Sequence, residues 1–199
     1  MFIGDQTQSR MMRVTTEVVN GQDQGCVMPF VDGLASGAMR PCFLNDGSLL
    51  IGQTGRGWGA RGGNQQALQQ IVWDGKTTGA DLHSVSVTAA GFEVRLTQPL
   101  KADITAEQLA KDFEIENWYY INQPKYGSPE TDKRKLAVAK VIIADDRAGL
   151  KIELENFGKG EGWVDRIYQI MWRRAKGSFD APTATNDLRA YYTVRAIPE

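Results

Sequence analysis

Cysteine and histidine are almost missing from this chain. There are two cysteines, Cys26 and Cys42, and one histidine, His83, in 199 residues. Two thiols cannot build a disulfide scaffold or a four-thiolate zinc centre, and no CxxCH haem-attachment motif occurs. Sequence does not say whether the pair is bonded; the expectation is two separate buried thiols. An excess of charge of either sign is missing too. The 23 basic and 24 acidic residues nearly cancel, so no global field draws the chain to nucleic acid or to an anionic membrane. No run of about 18 apolar residues exists, and no membrane span is expected. The start, MFIGDQTQSR, lacks the charged and apolar regions of a signal peptide.

Glycine is what the chain has in abundance. Of its 21 glycines, twelve lie in the first 63 residues, so that region is expected to be rich in turns. Met12 to Val19 is β-branched and ends at Asn20-Gly21, a tight-turn dipeptide. Gly25 to Phe30 is a second short apolar run. Met39–Leu44 and Ser48–Ile51 flank Asp46-Gly47, read as a type I′ hairpin, and Leu68–Trp73 runs into Asp74-Gly75. Strands this short and close favour antiparallel sheet.

From about Leu82 the pattern alternates apolar with polar. Val85 and Val87, then Phe92, Val94 and Leu96, then Leu150, Ile152 and Leu154 each mark one buried strand face. Leu136–Ile143 and Trp163–Trp172 read as more fully buried strands, and Ala190–Val194 as a closing strand. Ile104–Asp112 breaks the pattern as a short helix, with Thr105 and Gln108 forming a capping box and Leu109 facing inward. Seven or so strands with one short helix point to an immunoglobulin- or fibronectin-like sandwich.

Several segments taken together resemble a known family. FIGDQ, NGQDQGCVMPF, SGAMRPCFLNDGSLLIGQTGRGWG and LQQIVWDGKT are similar to the C-terminal part of glucose/sorbosone-dehydrogenase-like β-propeller proteins. GFEVRLTQPL, ENWYYINQPKYGSPE and AYYTVRAIP resemble the sandwich appended to that propeller in large secreted members. The resemblance implies a periplasmic or secreted protein. It also implies pyrroloquinoline quinone and calcium, but only for full-length relatives, whose cofactor sits at the centre of a six-bladed propeller. Residues 1–75 supply at most one or two blades, and the family's catalytic histidine and arginine have no counterpart here. No cofactor is therefore assigned to this chain, and the expectation is a fragment or a reduced relative.

Candidate sites are few. Gly52–Asn64 reads GQTGRGWGARGGN. Gly52 and Gly57 have P-loop spacing, but Trp58 stands where lysine belongs and no helix start follows. Arg61-Gly62-Gly63 occurs once, not as an RNA-binding repeat. The stretch reads as a structural loop whose glycines take positive φ and whose Trp58 covers an adjoining core; if it has a ligand, Arg56, Trp58 and Arg61 would present an aromatic face with flanking guanidinium donors to a sugar or carboxylate. In Trp118–Gly127, alternation sends at least one of Trp118, Tyr119 and Tyr120 away from the core; interdomain packing is the favoured reading of that residue, and Trp118, Tyr120 and Tyr126 are the second candidate group if it binds a ligand. His83 lacks a local acid or thiol partner and reads as a strand-edge residue. Asp145-Asp146 reads as a turn, without calcium-loop spacing. No catalytic residue or metal ligand is assigned.

The expected fold is all-β: a small antiparallel, propeller-blade-like sheet over 1–79, packed on a sandwich over 80–199 with one short helix. The expected role is a non-catalytic accessory region of a sugar-dehydrogenase-like protein, buttressing the propeller. The alternatives are a free-standing carbohydrate-binding module and a hydrolase of unknown class. Strand edges left without their neighbours make a homodimer through the N-terminal sheet the expected self-association.

Overall fold

The computed structural model describes residues 1–199. In chain order the strands are β1 (Phe2–Asp5), β2 (Arg10–Val19), β3 (Gln22–Val31), β4 (Ala38–Phe43), β5 (Leu49–Thr54), β6 (Gln66–Ile71), β7 (Leu82–Thr88) and β8 (Gly91–Leu96). The helix α1 (Ala106–Asp112) follows, then β9 (Phe113–Tyr119), β10 (Thr131–Leu136), β11 (Val138–Ile143), β12 (Gly149–Leu154), β13 (Arg166–Trp172) and β14 (Leu188–Val194). The chain is all-β, with antiparallel sheets and one short α-helix, as its alternating patterns require. The sheets run β1-β2-β3-β14-β13-β9-β10, β11-β12-β8-β7 and β4-β5-β6.

The residues form two compact units: Met1–Val14 with Val27–Thr77, and Thr15–Cys26 with Thr78–Glu199. The β2–β3 hairpin therefore contributes its base to the first unit and its tip to the second. The tight turn expected at Asn20-Gly21 is present, and it is type I′ because Asn20 (φ 49°) and Gly21 (φ 75°) are both left-handed.

The first unit has a small core of Met11, Leu34, Ala38, Leu49 and Ile51, with Phe2, Val31 and Ile71 packed against it. In β5, Leu49, Ile51 and Gln53 are buried while the residues between them are not. The β4–β5 turn corrects the type I′ expectation. Leu44 N–H donates to Ser48 O and Gly47 N–H returns to Leu44 O, both at 2.9 Å, so Asn45, Asp46 and Gly47 form a three-residue loop. Gly47 alone has positive φ (80°), which is the left-handed closing residue such loops use.

The second unit is a two-sheet sandwich. Phe92 of β8 meets Tyr168 of β13 at 5.3 Å and Tyr192 of β14 at 5.5 Å between ring centroids, and Phe157 closes on Phe92 at 5.7 Å. Val85, Val87, Val94, Leu150 and Ile152 on one sheet, with Ile115, Ile170, Trp172 and Val194 on the other, complete a dry interior. Thr105 caps α1 in the expected capping box with Gln108, and Leu109 is buried. One strand expectation changes. Leu136–Ile143 is not one strand: the chain switches sheets at Ala137, leaving β10 and β11 in different sheets. The Ala190–Val194 run lies in the last strand, β14, which sits between β3 and β13.

Candidate functional site

The glycine-rich stretch becomes the β5–β6 connection, and its backbone is pinned from several sides. Arg61 N–H donates to Thr7 O (3.0 Å), Asn64 N–H to Ala35 O (3.1 Å) and Gly55 N–H to Gln65 O (2.9 Å). Gly62 N–H donates to Ser9 Oγ at 2.9 Å, and Ser36 Oγ–H to Asn64 O at 2.6 Å. A Cβ on Gly62 would lie 2.2 Å from Leu34 O, so glycine is required there by close backbone approach. The loop is a fitted structural element with its polar groups satisfied. Its side chains nonetheless point outward: Arg56 and Arg61 are exposed, and Trp58 is 61% exposed.

The second candidate group separates. Trp118 is 2% exposed, with Lys133 Nζ 4.9 Å above its ring and Tyr191 against its edge at 6.4 Å. This corrects its assignment as a stacking platform, because neither ring face is open. Tyr120 and Tyr126 are exposed, on the segment between β9 and β10. There Ile121 N–H donates to Ser128 Oγ (3.0 Å) and Gln123 Nε2 to Gly127 O (3.1 Å). Arg56, Trp58 and Arg61 lie in the first unit, and Trp118, Tyr120 and Tyr126 in the second.

Other titratable groups are engaged structurally. His83 is exposed on β7 at a register irregularity. Asp146 pairs with Arg95 (2.8 Å) and accepts from Ala148 N–H (3.0 Å), so its carboxyl is held below the usual range, chiefly by the Arg95 hydrogen bond. Asp74 accepts from Thr77 Oγ, Thr77 N–H and Lys76 N–H, which lowers its pKa to about 2. Cys26 is buried and Cys42 exposed, and they form no disulfide; Cys42 departs from the expectation of a buried thiol because the side chains of β4 are largely unpacked.

Three arginine or glutamate positions escaped the sequence reading. Arg166, 4% exposed, donates to Asn117 Oδ1 (3.0 Å) and Asp132 Oδ2 (3.0 Å), and its guanidinium lies 5.3 Å from the Tyr119 ring centroid. Arg147 donates to the carbonyls of Leu100 (3.2 Å), Lys101 and Ile104 (2.9 Å), bracing the approach to α1. Glu17 accepts from Val87 N–H (2.8 Å) and from Tyr192 Oη–H. Each sits in a strand or turn whose local pattern carries no sign of a distant partner.

Two shallow grooves of about 360 Å³ lie in the second unit. One is lined by Glu93, Asp145, Gly149 and Lys151 among others, and the other by Ile104, Gln108, Asp112 and Arg174. In the second, the only acid, Asp112, is occupied by Arg174. No group of three or more His, Cys, Asp or Glu is arranged to hold a metal ion. No protein-family model, curated protein or solved structure matches the chain. The chain is thus an all-β protein of antiparallel sheets, with a pinned loop that exposes Trp58 and a three-stranded sheet whose outer strands have no further hydrogen-bonded neighbour.

Proposed function

We propose that this chain is a non-catalytic accessory region of a secreted or periplasmic β-propeller protein of the sugar-dehydrogenase type, buttressing the propeller. The supporting observation is the β4-β5-β6 sheet. Its outer strands β4 and β6 have no further hydrogen-bonded neighbour, and Leu68 on β6, with Val72 and Trp73 just after it, is 66–69% exposed. Apolar surface exposed along such a strand is what a neighbouring layer covers. Quinone and calcium belong, on this reading, to the propeller centre of the larger protein. Incubation with pyrroloquinoline quinone, calcium and a sugar panel is expected to give no dye reduction, and sugar-dependent turnover would overturn the reading.

A second reading, carbohydrate binding, rests on Trp58. It is 61% exposed on a loop whose backbone is already fixed, so a sugar could meet it without ordering the loop. A glycan panel read by tryptophan fluorescence tests it. A response lost in Trp58→Ala supports the reading, and a response to no glycan ends it.

A further inference from the structure

Six strands form the sheet edges, and five carry a device that discourages pairing with another chain. β1 has Asp5, β4 has Arg40 and Pro41, β10 has an Asp-Lys-Arg-Lys run from Asp132, and β11 has Lys140. β7 has no charged side chain, but Glu17 occupies its Val87 N–H at 2.8 Å. β6 has none of these. From Gln65 to Trp73 there is no charge and no proline.

The register shows which groups β6 leaves open. Gly55 N–H donates to Gln65 O, and the pairing continues without interruption as Thr54↔Gln66, Gln53↔Ala67 and Gly52↔Leu68. In an antiparallel ladder, hydrogen-bonded pairs alternate with non-bonded ones. Gln65, Ala67 and Gln69 therefore face β5 with their N–H and C=O groups, and Gln66, Leu68 and Gln70 turn theirs outward. The side chains of these three residues are exposed, Leu68 at 69%.

We propose that the β6 edge is a self-association surface whose occupant is β6 of a second copy, paired antiparallel about a two-fold axis through Leu68. In that register Leu68 exchanges both backbone bonds with its symmetry mate. Gln66 and Gln70 exchange theirs with Gln70 and Gln66 of the other copy. The side chains match as well: Leu68 lies against itself, and each Gln66 amide faces a Gln70 amide, whose Nε2 donates to Ser48 Oγ at 2.7 Å and whose Oε1 is placed to accept from Gln66. A two-fold interface must be self-complementary, and the near-palindrome Gln-Ala-Leu-Gln-Gln about Leu68 meets that condition. The β4-β5-β6 sheet becomes continuous across the two copies. The inference uses the same unpaired β6 edge and exposed Leu68 as the buttressing reading but needs neither a propeller nor a sugar ligand.

Sedimentation equilibrium of the full chain under reducing conditions, which removes any Cys42 cross-link, tests it. The wild type is expected to show a dimer. Leu68→Lys opposes two ammonium groups at the axis and is expected to raise the dissociation constant at least about tenfold, with circular dichroism unchanged. Gln66→Glu combined with Gln70→Lys sets opposite charges face to face only in this register, and is expected to keep the dimer while making it salt-sensitive. A wild-type monomer at about 100 μM, far above the dissociation constants of specific interfaces, would overturn the proposal. So would a dimer indifferent to Leu68→Lys, or one abolished by the charge-paired double variant.

Discussion

The Glu17 carboxylate accepts a hydrogen bond from the hydroxyl of Tyr192, 175 positions away in the chain, and the same oxygen accepts one from Val87 N–H. One side chain near the tip of the β2–β3 hairpin thus joins β14 and β7. Gln24, across the hairpin, accepts from Arg195 N–H (2.8 Å) and Ala196 N–H (2.9 Å). Glu17→Leu and Tyr192→Phe are each expected to destabilise the second unit by about 1–3 kcal/mol, the cost of leaving buried partners unsatisfied. The double variant should cost less than the sum, because both remove one shared contact. Urea unfolding of the four proteins measures this.

Alkaline pH should weaken the sandwich. Burial raises the Tyr168 pKa to about 12, and burial together with Glu17 also raises that of Tyr192. A phenol that ionises at pH 10 in the unfolded chain but later in the folded one favours unfolding as protons leave. Stability from Tyr168 is therefore full below pH 10 and falls between pH 10 and about 12. Phenolate absorbance should show buried tyrosines titrating only with loss of near-ultraviolet circular dichroism. Normal titration of all six tyrosines in the folded protein would contradict the burial argument.

Arg147 should behave as a structural brace. Arg147→Met removes the donors to Leu100, Lys101 and Ile104, and about 1–3 kcal/mol is the expected loss. Hydrogen exchange should report it locally, with protection falling across α1 before the rest of the sandwich. Uniform loss of protection would show that the brace is not local.

Two glycines of the β5–β6 loop should respond differently to alanine. At Gly62 the added Cβ meets backbone at 2.2 Å, while at Gly59 nothing lies within 4 Å. Gly62→Ala is expected to displace the loop and cost more than about 1 kcal/mol, and Gly59→Ala to stay within about 0.5 kcal/mol of wild type. Thermal melts of both variants separate the two cases.

Much of the fold was legible because it is local. The Val85-Val87 and Phe92-Val94-Leu96 alternations, the Thr105–Gln108 capping box and the Asn20-Gly21 turn each carry their own physics within a few residues. The failures share a different cause. The sheet switch at Ala137 leaves both flanking runs looking like extended chain, since a change of partner does not alter period-2 patterning. Aromatic identity does not reveal what covers a ring, so the sequence leaves Trp118 open between packing and ligand contact; Lys133 and Tyr191 arrive from other strands to cover it. Arg166, Arg147 and Glu17 were missed for the same reason, each being an ordinary charged residue until a distant segment meets it.

The hairpin tip at Thr15–Cys26 bears on synthesis and folding order. The sandwich needs residues from near the start of the chain and from its final strand, with Glu17 waiting for Tyr192 and Gln24 for Arg195. A ribosome extending the chain cannot release a finished sandwich domain by domain, because its earliest contributor is made long before its partners. Such long loop closures slow folding relative to sequence-local contacts. A polypeptide cut before Thr78 would lack this early contributor, leaving β14 with an open flank and the Tyr192 hydroxyl buried without its acceptor.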